Sequence, residues 1–275
     1  MSEHKYALGV IGTGHIAAVM IRRFLDSEYL PGERIIVSNS KTLRAHPLAV
    51  TVADDNPDVV RSARIVMLAV TPQKFAEAAA SIRSVTAGDH IFLSIMAGVS
   101  TDRIEKALSA NGPARVIRAM PNLPFGLGRG VTGLCRGAQA SVDDLEETRH
   151  LLNAGGVTVS IDDEALMDAV TAVAGSGPAY FYYFVEMLMA GGMAAGLNRE
   201  DAQVLAAHAC VGAGAMLLEE GASPRELREA VTSPGGTTQA AMDTLTNRKV
   251  AEHVTEAVLA AFRRGQELGR LTAEQ

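Results

Sequence analysis

Gly9-Val10-Ile11-Gly12-Thr13-Gly14-His15-Ile16-Ala17 closes an apolar run that begins at Tyr6 and opens a helical pattern that continues to Asp26. This strand–turn–helix order decides the fold. Its spacing is G-x-G-x-x-A, carried by Gly12, Gly14 and Ala17. Gly12 permits the tight turn, Gly14 lets a pyrophosphate reach the backbone, and Ala17 lets the helix pack close on the strand. The N–H groups and the dipole at the helix start then attract phosphate. A glycine-rich turn without a ligand has the same composition. What favours a nucleotide is the motif's place between a first strand and a first helix. Gly12, Thr13, Gly14, His15 and Ile16 are therefore candidate cofactor contacts.

Downstream, apolar runs at 34–38, 63–70, 90–96, 115–120 and 131–135 read as strands, with a helical segment at 73–84. Alternation of this kind predicts a parallel sheet covered by helices on both faces. The β-pattern stops near Ile161. Segments 165–173, 178–195, 199–220, 224–231, 237–246 and 250–268 all read as helices. The expected class is α/β: a Rossmann-type dinucleotide-binding domain over 1–161, then an all-helical domain over 162–275. The helix from Pro178 carries Tyr180, Phe181, Tyr182, Tyr183, Phe184, Val185, Met187, Leu188 and Met189, with Glu186 as its one charge. Such a helix must be covered on most sides. Burial between two copies of the chain explains it simply, and a central helix within one subunit is the alternative.

Composition narrows the classes further. The 275 residues are 48% hydrophobic, 4% aromatic and free of Trp, with a formal net charge of -6. Without a basic stripe, nucleic acid is not an expected partner. Cys135 and Cys210 stand far apart in no redox or metal spacing, which suits a reducing cytoplasm. The seven histidines show no His-x-x-x-His pattern, so no metal is expected. Met1 to Lys5 runs straight into a strand and does not read as a signal peptide. The stretch 202–218 lacks charges but contains Gln203 and His208. It reads as a buried helix rather than a membrane span.

The end of the second strand usually selects the nicotinamide cofactor, because an acid there binds the ribose hydroxyl of NAD and repels a phosphate. Here the residues are Ser38, Asn39, Ser40 and Lys41, followed by Arg44, with no acid. Hydroxyls, an amide and two bases suit the 2′-phosphate of NADP, although a solvated polar turn has the same make-up. Ala69-Val70-Thr71-Pro72, Ala97-Gly98 and Pro121-Asn122 end three further strands, on the side where ligands bind in open α/β sheets. They are candidate walls for a nicotinamide, and each taken singly is also an ordinary strand ending.

A second anion site is expected at Ser233-Pro234-Gly235-Gly236-Thr237-Thr238. Pro and two glycines set a turn, and two threonines open the next helix. Free N–H groups there favour an anion beside a hydroxyl, a socket for a small carboxylate. A plainly capped helix start is the other reading.

Together these segments resemble the pyrroline-5-carboxylate reductase family over nearly the whole chain. The resemblance rests on Gly12-x-Gly14, Ala69-Val70-Thr71-Pro72-Gln73, Ile95-Met96-Ala97-Gly98-Val99-Ser100, Arg118-Ala119-Met120-Pro121-Asn122, Gly175-Ser176-Gly177-Pro178-Ala179-Tyr180 and the 232–238 stretch. It implies NADPH-dependent reduction of 1-pyrroline-5-carboxylate to L-proline, the last step of proline synthesis, by a cytoplasmic homo-oligomer built from dimers. It also implies that the substrate carboxylate binds at Ser233, Gly235, Gly236 and Thr237, and that Thr238 stands beside the imine nitrogen as the catalytic hydrogen-bond donor. Departures from the family pattern are Thr71 for Lys, Leu123 for Thr, Ala190 for Asp, His15 for Asn or Gln, and Ile16 for Met. They leave room for a paralogue acting on a related cyclic imine. A hydroxyacid dehydrogenase would need a lysine in its helical domain, and the only lysine after Lys106 is Lys249. A non-catalytic NADP sensor would have no use for the carboxylate socket.

Overall fold

The computed structural model describes residues 4–38 and 48–273. The described residues form two compact units, one of residues 4–176 together with 261–273, the other of 177–260.

The first unit is built on an eight-stranded sheet: β1 (Tyr6–Ile11), β2 (Ile35–Ser38), β3 (Thr51–Ala53), β4 (Ala63–Leu68), β5 (Ile91–Ser94), β6 (Arg115–Met120), β7 (Gly130–Arg136) and β8 (Gly156–Ser160). Their order is β3-β2-β1-β4-β5-β6-β7-β8. The order reverses direction at β1, between β2 and β4, so a ligand crevice opens past the carboxyl ends of β1 and β4. The period of two along the strands divides the core. Leu8, Val10, Ile35, Val37, Ile65, Met67 and Ile91 face one layer, with Met20, Ile21 and Phe24 of α1 (His15–Asp26). Ile36, Val66, Leu68, Phe92 and Val116 face the other layer. There they meet Val59 and Val60 of α2 (Asn56–Ser62), Phe75 and Ile82 of α3 (Phe75–Ile82), and Ile104 and Leu108 of α4 (Thr101–Leu108). Each such fully buried side chain contributes roughly 1.5–3 kcal/mol against exposure.

The expected all-parallel sheet needs one correction. β7 runs antiparallel to β6, with Ala119 opposite Leu134. Only residues 121–129 join them, too few for the crossover of a dozen or more residues that a parallel partner needs. α5 (Val142–Leu152) then returns the chain to β8, parallel to β7. The β-pattern ends at Ser160, yet the compact unit continues to Ser176. α6 (Met167–Val170) runs into a π-helical turn, Thr171–Gly175. This segment is pinned to the sheet through Arg118 and Asn122, as described below.

The second unit is helical: α7 (Gly177–Ala194), α8 (Arg199–Met216), α9 (Pro224–Ala230), α10 (Thr237–Asn247) and the first part of α11 (Val250–Ala273). Only Gly177, Ala202 and Ala206 of its residues are buried. Phe181 is 60% exposed, Tyr183 62% and Leu188 53%. Tyr183, Phe184, Met187, Val254 and Val258 line an apolar cavity of about 450 Å³. Among the described residues no helix is long and apolar enough to cross a membrane.

Candidate functional site

Gly12 follows β1 at φ +89, and a Cβ there would stand 2.8 Å from the Ala69 carbonyl. No other residue fits that turn. Its N–H donates to Ser38 Oγ at 3.2 Å. Ser38, expected as a cofactor contact, thus uses its buried hydroxyl to hold the glycine turn. Gly14 differs. A Cβ on it would come no nearer than 3.9 Å to any protein atom, at Ala69 O. The protein's own packing does not demand a glycine there, and the backbone is open to approach from outside. Gly14 is also the N-cap of α1, with no side-chain cap and no acid in the first turn. The partial positive charge of that helix end is therefore not neutralised locally, which is the arrangement an anionic pyrophosphate requires. Thr13 is buried, His15 is exposed and Ile16 half-buried at the same turn.

Val70, Thr71 and Pro72 leave β4 beside this turn. Gly12, Ser38 and Val70 line a cleft of about 300 Å³ together with Asn56, Lys74 and Glu77. The last three were not expected from the sequence. Asn56 opens α2 behind the Asp55 cap, and Lys74 closes the one-turn helix Pro72–Lys74. Either could have been found by extending a strand ending by one helical turn. Asn39, Ser40, Lys41 and Arg44 lie outside the described residues.

Ala97 and Gly98 follow β5. Gly98 has φ +70, and a Cβ there would be 2.9 Å from the backbone nitrogen of Gly269 on α11. Its glycine is thus required by a close approach of helix to loop. The Arg118-Ala119-Met120-Pro121-Asn122 run is a clamp. Its alternate residues 118, 120 and 122 all grip the 164–175 segment. Arg118, 5% exposed, pairs with Glu164 at 3.2 Å and Asp168 at 3.4 Å. Met120 packs against Gly175. Asn122 Nδ2 donates to Ala174 O at 3.1 Å, and its Oδ1 accepts from Val131 N–H at 3.0 Å. Asn122, expected at the cofactor, has its amide engaged at both ends, and Pro121 is buried beside it. Cys135 on β7 lies nearby. Burial, and then the Glu164 charge, push its thiol up to about 11 against the opposing pull of Arg118, so it is no nucleophile.

In the helical unit the 233–238 turn has the expected form. Gly235 adopts φ +71, and Gly236 is the N-cap of α10 without a side-chain cap or an acid in the first turn. One expectation is corrected. The Gly236 N–H donates to Ser233 O at 3.0 Å, closing the turn, and so is not offered to a ligand. The Ser233 hydroxyl packs where a Gly236 side chain would stand. Ala240 N–H bonds back to Gly236 O, which leaves the N–H groups of Thr237, Thr238 and Gln239 as the outward-facing set. Thr237 is exposed and Thr238 half-buried.

Residues 164–268 match the family model for pyrroline-5-carboxylate reductase dimerisation. Residues 7–98 match the model described as NADP oxidoreductase, coenzyme F420-dependent. A pyrroline-5-carboxylate reductase of Synechocystis is 37% identical over 96% of this chain and 98% of its own. A solved pyrroline-5-carboxylate reductase from Coxiella burnetii is 30% identical, covers 96% of this chain and 99% of its own, and superposes with a TM-score of 0.86. The Plasmodium falciparum pyrroline carboxylate reductase, solved with NADP bound, shares the fold at a TM-score of 0.87 and 24% identity, covering 97% of this chain and 100% of its own. The chain belongs to the pyrroline-5-carboxylate reductase family.

Proposed function

We propose that this protein is an NADPH-dependent pyrroline-5-carboxylate reductase, reducing 1-pyrroline-5-carboxylate to L-proline. The observation that carries the reading is the pair of uncapped, acid-free helix starts, at Gly14 and at Gly236, in a chain of this family. One suits a pyrophosphate and the other a carboxylate. We assign the cofactor to residues 1–161 and the substrate and dimer contacts to residues 162–275.

Bound NADPH would supply a hydride for the imine carbon, and with a proton already on the nitrogen or taken from water, C=N would become the C–N bond of a secondary amine. The chain's part is placement. Gly12, Thr13, Gly14, His15 and Ile16 would receive the pyrophosphate. Val70, Thr71, Pro72, Ala97 and Pro121 would border the nicotinamide. The N–H groups at Thr237 and Thr238 would hold the substrate carboxylate within the Ser233–Gly235 turn, and the Thr238 hydroxyl would donate to the imine nitrogen. A protonated imine needs no strong acid from the protein, only orientation and one neutral donor. The missing acid after Val37, with Lys41 in the same run, supports NADPH over NADH.

The exposed apolar face of α7 supports a homo-oligomer built from dimers. Two unpaired cysteines are in keeping with a cytoplasmic enzyme. Thr71 and Leu123, both exposed at strand ends, favour a second reading, a reductase of a related cyclic imine. The test is NADPH oxidation with 1-pyrroline-5-carboxylate, with a six-membered imine carboxylate, and with 3-hydroxyacids plus NADP in the reverse direction. Fast turnover of the five-membered imine alone supports the proposal. Faster turnover of the six-membered ring, or of a hydroxyacid, replaces it.

A further inference from the structure

At the amino-terminal edge of the sheet, three side chains meet that the reductase chemistry does not use. His4 precedes β1, and Asp89 and His90 precede β5. His4 Nε2 lies 3.3 Å from Asp89 Oδ2, and His90 Nδ1 lies 3.6 Å from Asp89 Oδ1. The ligating atoms of all three fall within 4.8 Å of one another. The His4 side chain is 9% exposed, that of His90 4%. His4 Nε2 is buried without a hydrogen-bond partner.

The hydrogen bonds fix what the cluster lacks. His90 Nε2 faces Val60 O at 2.9 Å, so this nitrogen carries a proton, and in the neutral imidazole Nδ1 carries the lone pair. That lone pair points among further acceptors: the Asp89 carboxylate and the Ala87 carbonyl, 3.1 Å away. The Ala87 N–H, 3.2 Å from Nδ1, is the donor on hand. The two imidazoles are buried while the Asp89 side chain is 42% exposed, and the partnerless His4 Nε2 is the buried polar atom that a cation would satisfy. The spacing is informative too. A distance of 3.6 Å is too long for a hydrogen bond. Ligands about 2.0–2.2 Å from a tetrahedral ion stand roughly 3.3–3.5 Å apart, near the 3.3 Å and 3.6 Å separations, which end on the two different oxygens of the Asp89 carboxylate. A ligating histidine that donates its second ring N–H to a backbone carbonyl is the usual outer-shell arrangement, and His90 has it.

We propose that His4, Asp89 and His90 form a binding site for a divalent transition-metal ion of the zinc class. His4 Nε2, one Asp89 oxygen and His90 Nδ1 are the ligands, and the metal displaces the long Ala87 N–H contact. The site is structural. It ties the start of β1 to the turn before β5, at the opposite end of β1 from Gly12 and so roughly 25 Å from the cofactor crevice. It owes nothing to the reductase reading.

The test is calorimetric titration of the chelator-stripped, full-length protein with zinc, alongside cobalt(II) absorption as a report of tetrahedral geometry. One ion per chain is expected, with an intense tetrahedral cobalt band. His4→Gln and Asp89→Asn should each weaken binding by at least about tenfold. His4 precedes the first strand, so its replacement leaves the sheet intact, and NADPH binding by that variant checks this directly. Absence of zinc binding at millimolar metal overturns the proposal, since protons alone would then balance the cluster. Binding as tight in His4→Gln as in the parent also overturns it, by placing the metal elsewhere.

Discussion

Asn122 holds Ala174: the side-chain amide at the end of β6 donates to a carbonyl inside the π-helical turn at 3.1 Å. π-Turns leave a backbone group without its regular helical partner and recur where a protein sets up function. The same side chain fixes Val131 N–H at the start of β7, so one residue joins the sheet to the segment leading into Gly175-Ser176-Gly177. Asn122→Ala should orphan both groups at about 1–3 kcal/mol each. Asn122→Asp, which keeps the acceptor for Val131, should cost less. Urea denaturation read from near-ultraviolet signals gives the comparison, and equal stability of all three proteins would remove the clamp.

Gly12 and Gly14 should separate cleanly. Gly12→Ala places a methyl against the Ala69 carbonyl in a left-handed backbone, at about 1–3 kcal/mol of strain before any clash. It should lower the melting temperature and abolish NADPH binding. Gly14→Ala has room within the protein and should melt like the parent, yet bind NADPH at least about tenfold more weakly, because the methyl stands where phosphate approaches. Thermal melting paired with fluorescence titration tells them apart.

Thr238→Ala should slow imine reduction by about 1–3 kcal/mol, roughly 5- to 150-fold in kcat/KM, with NADPH affinity nearly unchanged. Thr238→Ser keeps the hydroxyl and should recover much of the rate. Full activity in the alanine variant would reduce the threonine to a first-turn helix residue and assign nitrogen protonation to solvent.

NADPH should outperform NADH in kcat/KM by about 10- to 100-fold, the worth of a charge-assisted contact to the 2′-phosphate. The rate ratio is read under matched steady-state conditions. Lys41→Ala should erode that ratio by raising the KM for NADPH and leaving NADH alone.

Leu188→Asp on α7 should prevent assembly, because it sets a charge on a face that is 53% exposed in one chain and otherwise apolar. Light scattering at low micromolar concentration should give at least twice the chain mass for the parent and a smaller, poorly folded species for the variant.

Much of this architecture is written in the chain, but unevenly. β1, its glycine turn and α1 were legible because the 6–26 run joins a period of two to a period of 3.6 across a phosphate motif. The direction of β7 was not. An apolar strand has no polarity in its pattern, and the information lay in the nine residues of the 121–129 link. β3 has only three residues, and β8 alternates as Val157-Thr158-Val159-Ser160 but over so short a run, with its valines exposed at the sheet edge, that it did not stand out. α5 was announced by Ser141 and Asp144, whose reciprocal capping bonds form in the structure, but its polar surface hid it. At the candidate site the glycine positions were readable from backbone demands. The partners of Ser38, Asn122 and Gly98 were not, since each engages a residue 26 to 171 positions away, a matter of packing rather than of local pattern.

If the proposed dimer covers the exposed residues between Gly177 and Ala260, concentration becomes a variable of this protein's own stability. A sheet with a dry core on both faces would survive dilution, whereas helices that hide three small residues would not. Diluted far enough, the chain would still take up NADPH and have nowhere to spend it. Turnover would then fall with a power of concentration greater than one, while cofactor binding falls only in proportion. Folding of the second unit and meeting a second copy would be a single event.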